Sequence, residues 1–263
     1  MYSKVVISIG GSDSGGGAGI QADLRTFMAL NIHGCSVITC VTAQNSLGVH
    51  DLEEIKGTLV NNQIKSLFKD FQINAVKTGM LLNKSIIETT AESLKKHTIP
   101  KIIDPVMVSR SGSKLLEDNA IDAYLELLFP QAEVVTPNIY EAKLLTKTEI
   151  NDEKDVENAG EMIINKGVKS VLIKGGGIRN LRGRDFFINE RGNKKWLHNK
   201  FINTKNTHGS GCTLSAAICG YRALGLELVE SITKSKSFIE KSLLNSYQIG
   251  SGPGPLGHHQ QCR

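Results

Sequence analysis

The chain has 263 residues, 40% of them hydrophobic and 22% charged, enough apolar material for a sizeable core without disulfide or metal staples. Thirty-one Lys and Arg against 26 Asp and Glu leave a formal charge of +5, which suits anionic small molecules but is too weak to argue for nucleic acid. No apolar run approaches about 18 residues, and the apolar stretch at residues 5–9 is too short for a secretory leader, so neither a membrane span nor export is expected.

In chain order, a β-branched strand is expected at residues 5–9, followed by a glycine-rich junction at 10–19 and a helix with apolar residues at Ile20, Leu24, Phe27 and Leu30. A second strand spans 35–41, and helical spacing returns at Ile64, Leu67, Phe68 and Phe71. Strands at 75–77 and 101–103, a helix through Ile121, Leu125 and Leu128, and strands at 133–135 and 170–173 complete the alternation. This is a βαβ pattern, and continuous apolar strands imply a mostly parallel sheet covered by helices on both faces. Active sites in such folds lie at the strands' carboxyl ends.

Beyond Ile173 the chain turns polar and basic, with short apolar pieces at 185–188 and 195–197 that read as hairpin-like strands at a sheet edge. Arg179, Arg182, Arg184, Arg191, Lys194, Lys195, Lys200 and Lys205 face only Asp185 and Glu190 there. No aromatics interleave for base stacking, so the stretch reads as a solvated, charge-protected edge. Helical spacing resumes at Leu214, Ile218 and Tyr221, and residues 250–263 form a Gly/Pro-rich tail with no core pattern. With no repeat or long linker, a single domain over 1–263 is expected. Five cysteines (Cys35, Cys40, Cys212, Cys219 and Cys262), odd in number and without a C-x-x-C pair, fit a reducing cytoplasm.

Three motifs carry chemistry. Glycines in Gly10-Gly-Ser-Asp-Ser-Gly-Gly-Gly-Ala-Gly19 let backbone N–H groups and a ligand approach closely, with Asp13 and Asp23 on either side. The spacing does not make a dinucleotide fingerprint, and the chain lacks the Gly-Lys of a P-loop. In Asn206-Thr-His-Gly-Ser-Gly-Cys-Thr213, roughly three or four N–H groups at a helix start form an anion hole for a transferring phosphoryl group. Cys212 sits where the helix dipole lowers a thiol pKa. It is read either as a nucleophile paired with His208, as a thiol or thiolate positioning a substrate hydroxyl, or as an inert buried residue. Finally, Asp104 ends a strand, and Asn138 and Glu141 stand one helical turn apart after another. These residues suit Mg²⁺ on nucleotide phosphates or, more plainly, an N-cap with a dipole-facing carboxylate.

Together these motifs, with Val41-Thr-Ala-Gln-Asn45, Lys77-Thr-Gly-Met80, Asp104-Pro-Val-Met107 and Lys174-Gly-Gly176, resemble the hydroxymethylpyrimidine/phosphomethylpyrimidine kinases of thiamine biosynthesis, within the ribokinase superfamily. The resemblance implies an α/β fold, a ribokinase-like three-layer αβα sandwich around a mostly parallel sheet, usually as a homodimer. It implies MgATP-dependent phosphorylation of the pyrimidine's hydroxymethyl group and then of the monophosphate. Carried onto this chain, Gly209, Ser210, Gly211 and Cys212 form the catalytic anion hole, with Cys212 in place of the superfamily's usual aspartate. Gln44, Gly11, Asp23 and Met80 line the pyrimidine site, Lys174, Thr207 and Asn138 meet the nucleotide, and Glu141 and Asp104 serve Mg²⁺. Gly177 stands where members often have His, and the tail at 251–258 is an altered form of the usual ending. Pyridoxal kinases share the glycine-rich loop and the Cys-containing hole; Gln44 favours the pyrimidine, because an amide matches an aminopyrimidine edge. A non-catalytic anion-binding module on the same fold is the alternative of a different class.

Overall fold

The structure, a computed structural model, describes residues 4–107, 116 and 118–261; Cys262 lies outside them. Strand β1 (Val5–Asp13) leads through the glycine-rich loop into α1 (Gly19–Ala29), followed by β2 (His33–Gln44), β3 (Val49–Glu54), α2 (Gly57–Asp70), β4 (Ile73–Thr78), α3 (Lys84–Lys95) and β5 (Lys101–Ile103). Then come α4 (Asp118–Ala123) with a π turn, β6 (Val134–Val135), α5 (Ile139–Thr146), α6 (Glu153–Ile164), β7 (Ser170–Lys174), β8 (Arg184–Asn189), β9 (Lys194–His198), α7 (Ser210–Ala223) and α8 (Leu228–Leu244).

Among the described residues, nine strands join one sheet in the order β3-β2-β1-β4-β5-β6-β7-β8-β9. From β2 to β7 the pairing is parallel, and β3, β8 and β9 run antiparallel at the two edges. Successive strand residues point to opposite faces, so Val6, Ile102, Val134 and Leu172 enter one core while Ile7, Ile103, Val135 and Ile173 enter the other. This explains the continuous apolar strands: neither face meets water. Helices α1, α7 and α8 cover the first face and α2 to α6 the second, which makes the expected three layers. Because the central strands are parallel, the ends that carry Asp13, Gln44, Met80, Asp104, Asn138 and Lys174 gather along one edge of the sheet.

Two segments depart from the sequence reading. Strand β3 is polar and largely exposed, so it carries no apolar signal; it exists because it hydrogen-bonds to β2, which itself runs on to Gln44. The tail, expected to have no core role, buries Leu256 and His258. Its burial comes from backbone contact: a Cβ on Gly252 would stand 1.9 Å from the Ser46 carbonyl oxygen, and one on Gly257 2.0 Å from that of Asn245. The basic hairpin at the other edge is charge-protected as expected, with Arg184 and Lys194 paired to Glu153 and Glu161 on α6.

Candidate active site

Helix α7 begins at Ser210 after Gly209, whose φ of +84° is left-handed backbone. Thr213 N–H closes the first helical bond onto Gly209 O at 2.9 Å, and Ser210 N–H turns back to Thr207 O at 3.2 Å. The first-turn donors left at the helix mouth are Gly211 and Cys212 N–H, fewer than the motif suggested. Thr207 thus shapes the turn through its carbonyl. Lys174, the last residue of β7, brings its Nζ to 3.3 Å from where a Cβ on Gly211 would stand. A side-chain cation and a helix N-terminus therefore converge on one point.

Beneath that point lies a buried charged network. Lys174 Nζ donates to Asp104 Oδ1 at 2.8 Å. Asp104 also accepts from Thr136 Oγ1 at 3.1 Å and from Ser215 Oγ at 3.0 Å, which ties α7 to the end of β5. Glu141 and Asn138 form a reciprocal capping box at the start of α5: Asn138 N–H donates to Glu141 Oε2 at 2.8 Å, and Glu141 N–H to Asn138 Oδ1 at 3.0 Å. The plainer expectation for this pair is therefore realised. Burial pushes the Glu141 carboxyl up to about 7, Lys174 opposes that shift, and Asp104 adds to it. For Lys174, burial works against the ammonium, yet Asp104 and Glu141 hold its pKa above the ordinary value.

Cys212 corrects the sequence reading. Burial pushes its thiol up to about 11, with Lys77 pulling down and Asp23 and Asp104 pushing up. Cys212 is only half-buried, but desolvation of the thiolate outweighs the expected lowering at a helix start. The His208 ring nitrogen Nε2 is engaged by Asp13 at 2.9 Å, a partner the Cys–His nucleophile reading did not include.

Asp23, expected on the wall of the pyrimidine site, is sealed at 1% exposure. Its carboxylate accepts from Lys77 Nζ at 2.8 and 3.0 Å and from Ser8 Oγ at 2.5 Å. Lys77, quoted in the sequence only as part of a motif, is the buried charge that sequence reasoning did not place in the site, although a lysine inside a doubly buried strand was the available signal. Burial disfavours its charge, but Asp23, Cys212 and Asp104 hold its pKa above the ordinary value. Gly11 and Met80 are brought together, since a Cβ on Gly11 would stand 2.7 Å from Met80 Cε. The Gln44 side chain has other neighbours: its Oε1 accepts from Thr42 Oγ1 at 3.2 Å, and its Nε2 is 3.4 Å from His208 Nε2.

The glycine-rich loop also differs from expectation, because its donors are consumed internally. Gly15, Gly17 and Ala18 N–H bond to the Asp13 carboxylate at 2.8, 3.0 and 2.8 Å, and Gly16 N–H to Asp13 O at 2.9 Å. The anion in this nest is the chain's own.

The chain matches the family model described as phosphomethylpyrimidine kinase over residues 13–257. It is 46% identical over 259 residues to the hydroxymethylpyrimidine/phosphomethylpyrimidine kinase of Synechococcus elongatus, with 98% of each chain covered. Among solved structures it resembles the phosphomethylpyrimidine kinase of Clostridium difficile, with a TM-score of 0.81 and 39% identity over 92% of this chain and 100% of that one. It also resembles the pyridoxal kinase of Bacillus subtilis, solved as an ADP complex, with a TM-score of 0.90 and 33% identity over 97% of each chain.

Proposed function

The chain belongs to the phosphomethylpyrimidine kinase family, and from that premise we propose that the mouth of α7, between Lys174, Cys212 and Lys77, is where the phosphoryl group is transferred. The activity is phosphorylation of the pyrimidine precursor of thiamine, first at its hydroxymethyl group and then on the monophosphate. ATP is the fitting donor, in keeping with the ADP held by the pyridoxal kinase relative. The observation that carries the assignment is the Lys174 ammonium at the Gly211 mouth. Negative charge developing on the transferring group meets a fixed cation and two preorganised N–H donors there, with no reorganisation needed during reaction.

Cys212 takes the positioning role. With its pKa near 11 it rests as a thiol and orients the substrate hydroxyl. A loose phosphoryl-transfer transition state asks mainly for alignment and electrostatic support. Lys77, held by Asp23, supplies the positive charge beside the sulfur. Thr207 and Asn138 keep their places as nucleotide contacts in this reading, and Gly11 and Met80 form a wall of the pyrimidine site.

Mg²⁺ belongs to the same proposal. A hard cation on nucleotide phosphates needs only one or two carboxylates from the protein. Asp104 and Glu141 fit, because they are buried close enough for Asp104 to raise the Glu141 pKa, a pairing that a divalent cation relieves. When bound, the metal neutralises phosphate charge. A homodimer and a cytoplasmic location follow from the family resemblance; among the described residues, no helix is long and apolar enough to cross a membrane.

Pyridoxal is the second candidate substrate, favoured by the TM-score of 0.90 to a pyridoxal kinase. Comparing kcat/KM for hydroxymethylpyrimidine and pyridoxal in wild type and Gln44→Met separates the two. A site built to hydrogen-bond an amine rejects an analogue lacking it by up to about 10⁴-fold. The variant should therefore lose most on the pyrimidine and little on pyridoxal. Equal losses would mean that Gln44 only supports its loop, and a wild type that prefers pyridoxal would reverse the order of substrates.

A further inference from the structure

Residues 195 positions apart meet where His208 Nε2 lies 2.9 Å from Asp13 Oδ2. Asp13 is 3% exposed and its carboxylate already accepts three N–H groups of the glycine-rich loop. An acceptor with that surrounding is ionised, so His208 Nε2 must be the donor. The Gln44 amide nitrogen, 3.4 Å from the same atom, is then not the partner of His208 and stays available to a ligand. Two backbone contacts reinforce the juncture. A Cβ on Gly17 would stand 2.3 Å from His208 Cδ2, and a Cβ on Gly209 would stand 2.0 Å from Gly17 O. On its far side His208 is fixed through its own N–H, which donates to Gly254 O at 3.1 Å.

We propose that Asp13 and His208 form a latch that fastens the glycine-rich loop to the Gly209–Cys212 turn and so positions the mouth of α7 for phosphoryl transfer. Both are positioning residues, acting through the loops they join. The geometry is unusual for a spacer loop. Gly15, Gly16 and Gly17 give their N–H groups to the Asp13 side chain or main chain, Gly17 also lies against the histidine ring, and the nest meant for an anion is filled from within. The loop therefore keeps its shape without a ligand, and the histidine ties its Asp13 anchor to the turn that opens α7, beside the close packing of Gly17 O on Gly209. A cavity of about 240 Å³, bordered by Gly15, Gly17 and His208 on one side and by Pro253 and Pro255 of the tail on the other, gives the latch room to open.

The proposal rests on α7 being the transfer site, and the tests keep the two apart: wild-type turnover on the pyrimidine tests that site, and the contrast between two His208 variants tests the latch. His208→Leu keeps bulk over Gly17 and removes the donor, whereas His208→Gln places an amide N–H near the position of Nε2. Leucine should lower kcat by about 10- to 100-fold with KM for the pyrimidine changed by less than about threefold, as expected for misplacement of catalytic groups rather than lost substrate contact. Glutamine should restore kcat to within about fivefold of wild type. Leucine at wild-type kcat, a loss confined to KM, or glutamine no better than leucine would each overturn the latch. Should His208→Leu not fold, amide exchange of the wild-type protein decides. Gly17, Ala18 and His208 N–H should open together, with protection within about tenfold of one another. A wider separation means that the two loops open independently, and the latch fails.

Discussion

Replacing Gly209 by alanine puts a methyl group where the structure has no room, on backbone that alanine resists. At φ +84° the left-handed conformation costs an L-residue about 1–2 kcal/mol. The added carbon would stand 2.0 Å from Gly17 O, where real contacts stay beyond 3.0 Å, so the glycine-rich loop or the α7 mouth must retreat by about 1 Å. A displacement of that size in a positioned site costs about 10²-fold in rate. We therefore expect Gly209→Ala to lower kcat about 100-fold. The melting temperature should fall by roughly 2–8 °C, from a sensitivity of about 2–4 °C per kcal/mol in chains approaching this size. ADP release with hydroxymethylpyrimidine, together with a thermal melt, measures both. A variant whose melting temperature drops while kcat stays within about threefold of wild type would refute the reasoning, because the position of the mouth would then not govern transfer.

Glu141→Gln should keep the capping box, since a glutamine oxygen still accepts from Asn138 N–H, while removing a buried charge. The Glu141 carboxyl is raised in the folded protein from the ordinary 4.5 to about 7, so its contribution to stability is fully present below pH 4.5 and is lost as the pH rises through 7. The variant's stability relative to wild type should therefore rise between those pH values and then level off, while Mg²⁺-dependent turnover falls. Flat relative stability across that range would contradict the buried carboxyl, and unchanged turnover would exclude its metal role. For Cys212, a pKa near 11 leaves roughly a thousandth of the thiol ionised at pH 8, so alkylation by iodoacetamide should be about 100-fold slower than for a free cysteine. Intact-mass kinetics report this, and fast modification of Cys212 would show that the thiol is activated after all.

The fold was legible in sequence wherever the signal is local. Continuous apolar runs such as residues 101–103 and 170–173 are strands because both of their faces are covered, and the apolar helices between them force parallel pairing. The turn and helix start at Gly209, Ser210, Gly211 and Cys212 were legible for the same reason, being set within a few residues. Asp104 could be placed at a strand end by topology alone, and Asn138, with Glu141 one helical turn further on, just after another strand. What needed the tertiary structure was every property set by distant residues. Asp23 reads as a wall residue until Lys77, 54 positions away, claims both of its oxygens. Cys212 reads as an activated thiol until burial withholds the solvent that its thiolate requires. His208 reads as a base for Cys212 until Asp13, 195 positions away, takes its Nε2. The tail reads as having no core pattern because its glycines pack by backbone against Ser46 and Asn245, leaving no side-chain periodicity to detect. Charge and proton affinity in this site depend on desolvation and on partners from other strands, and only the assembled sheet brings those together.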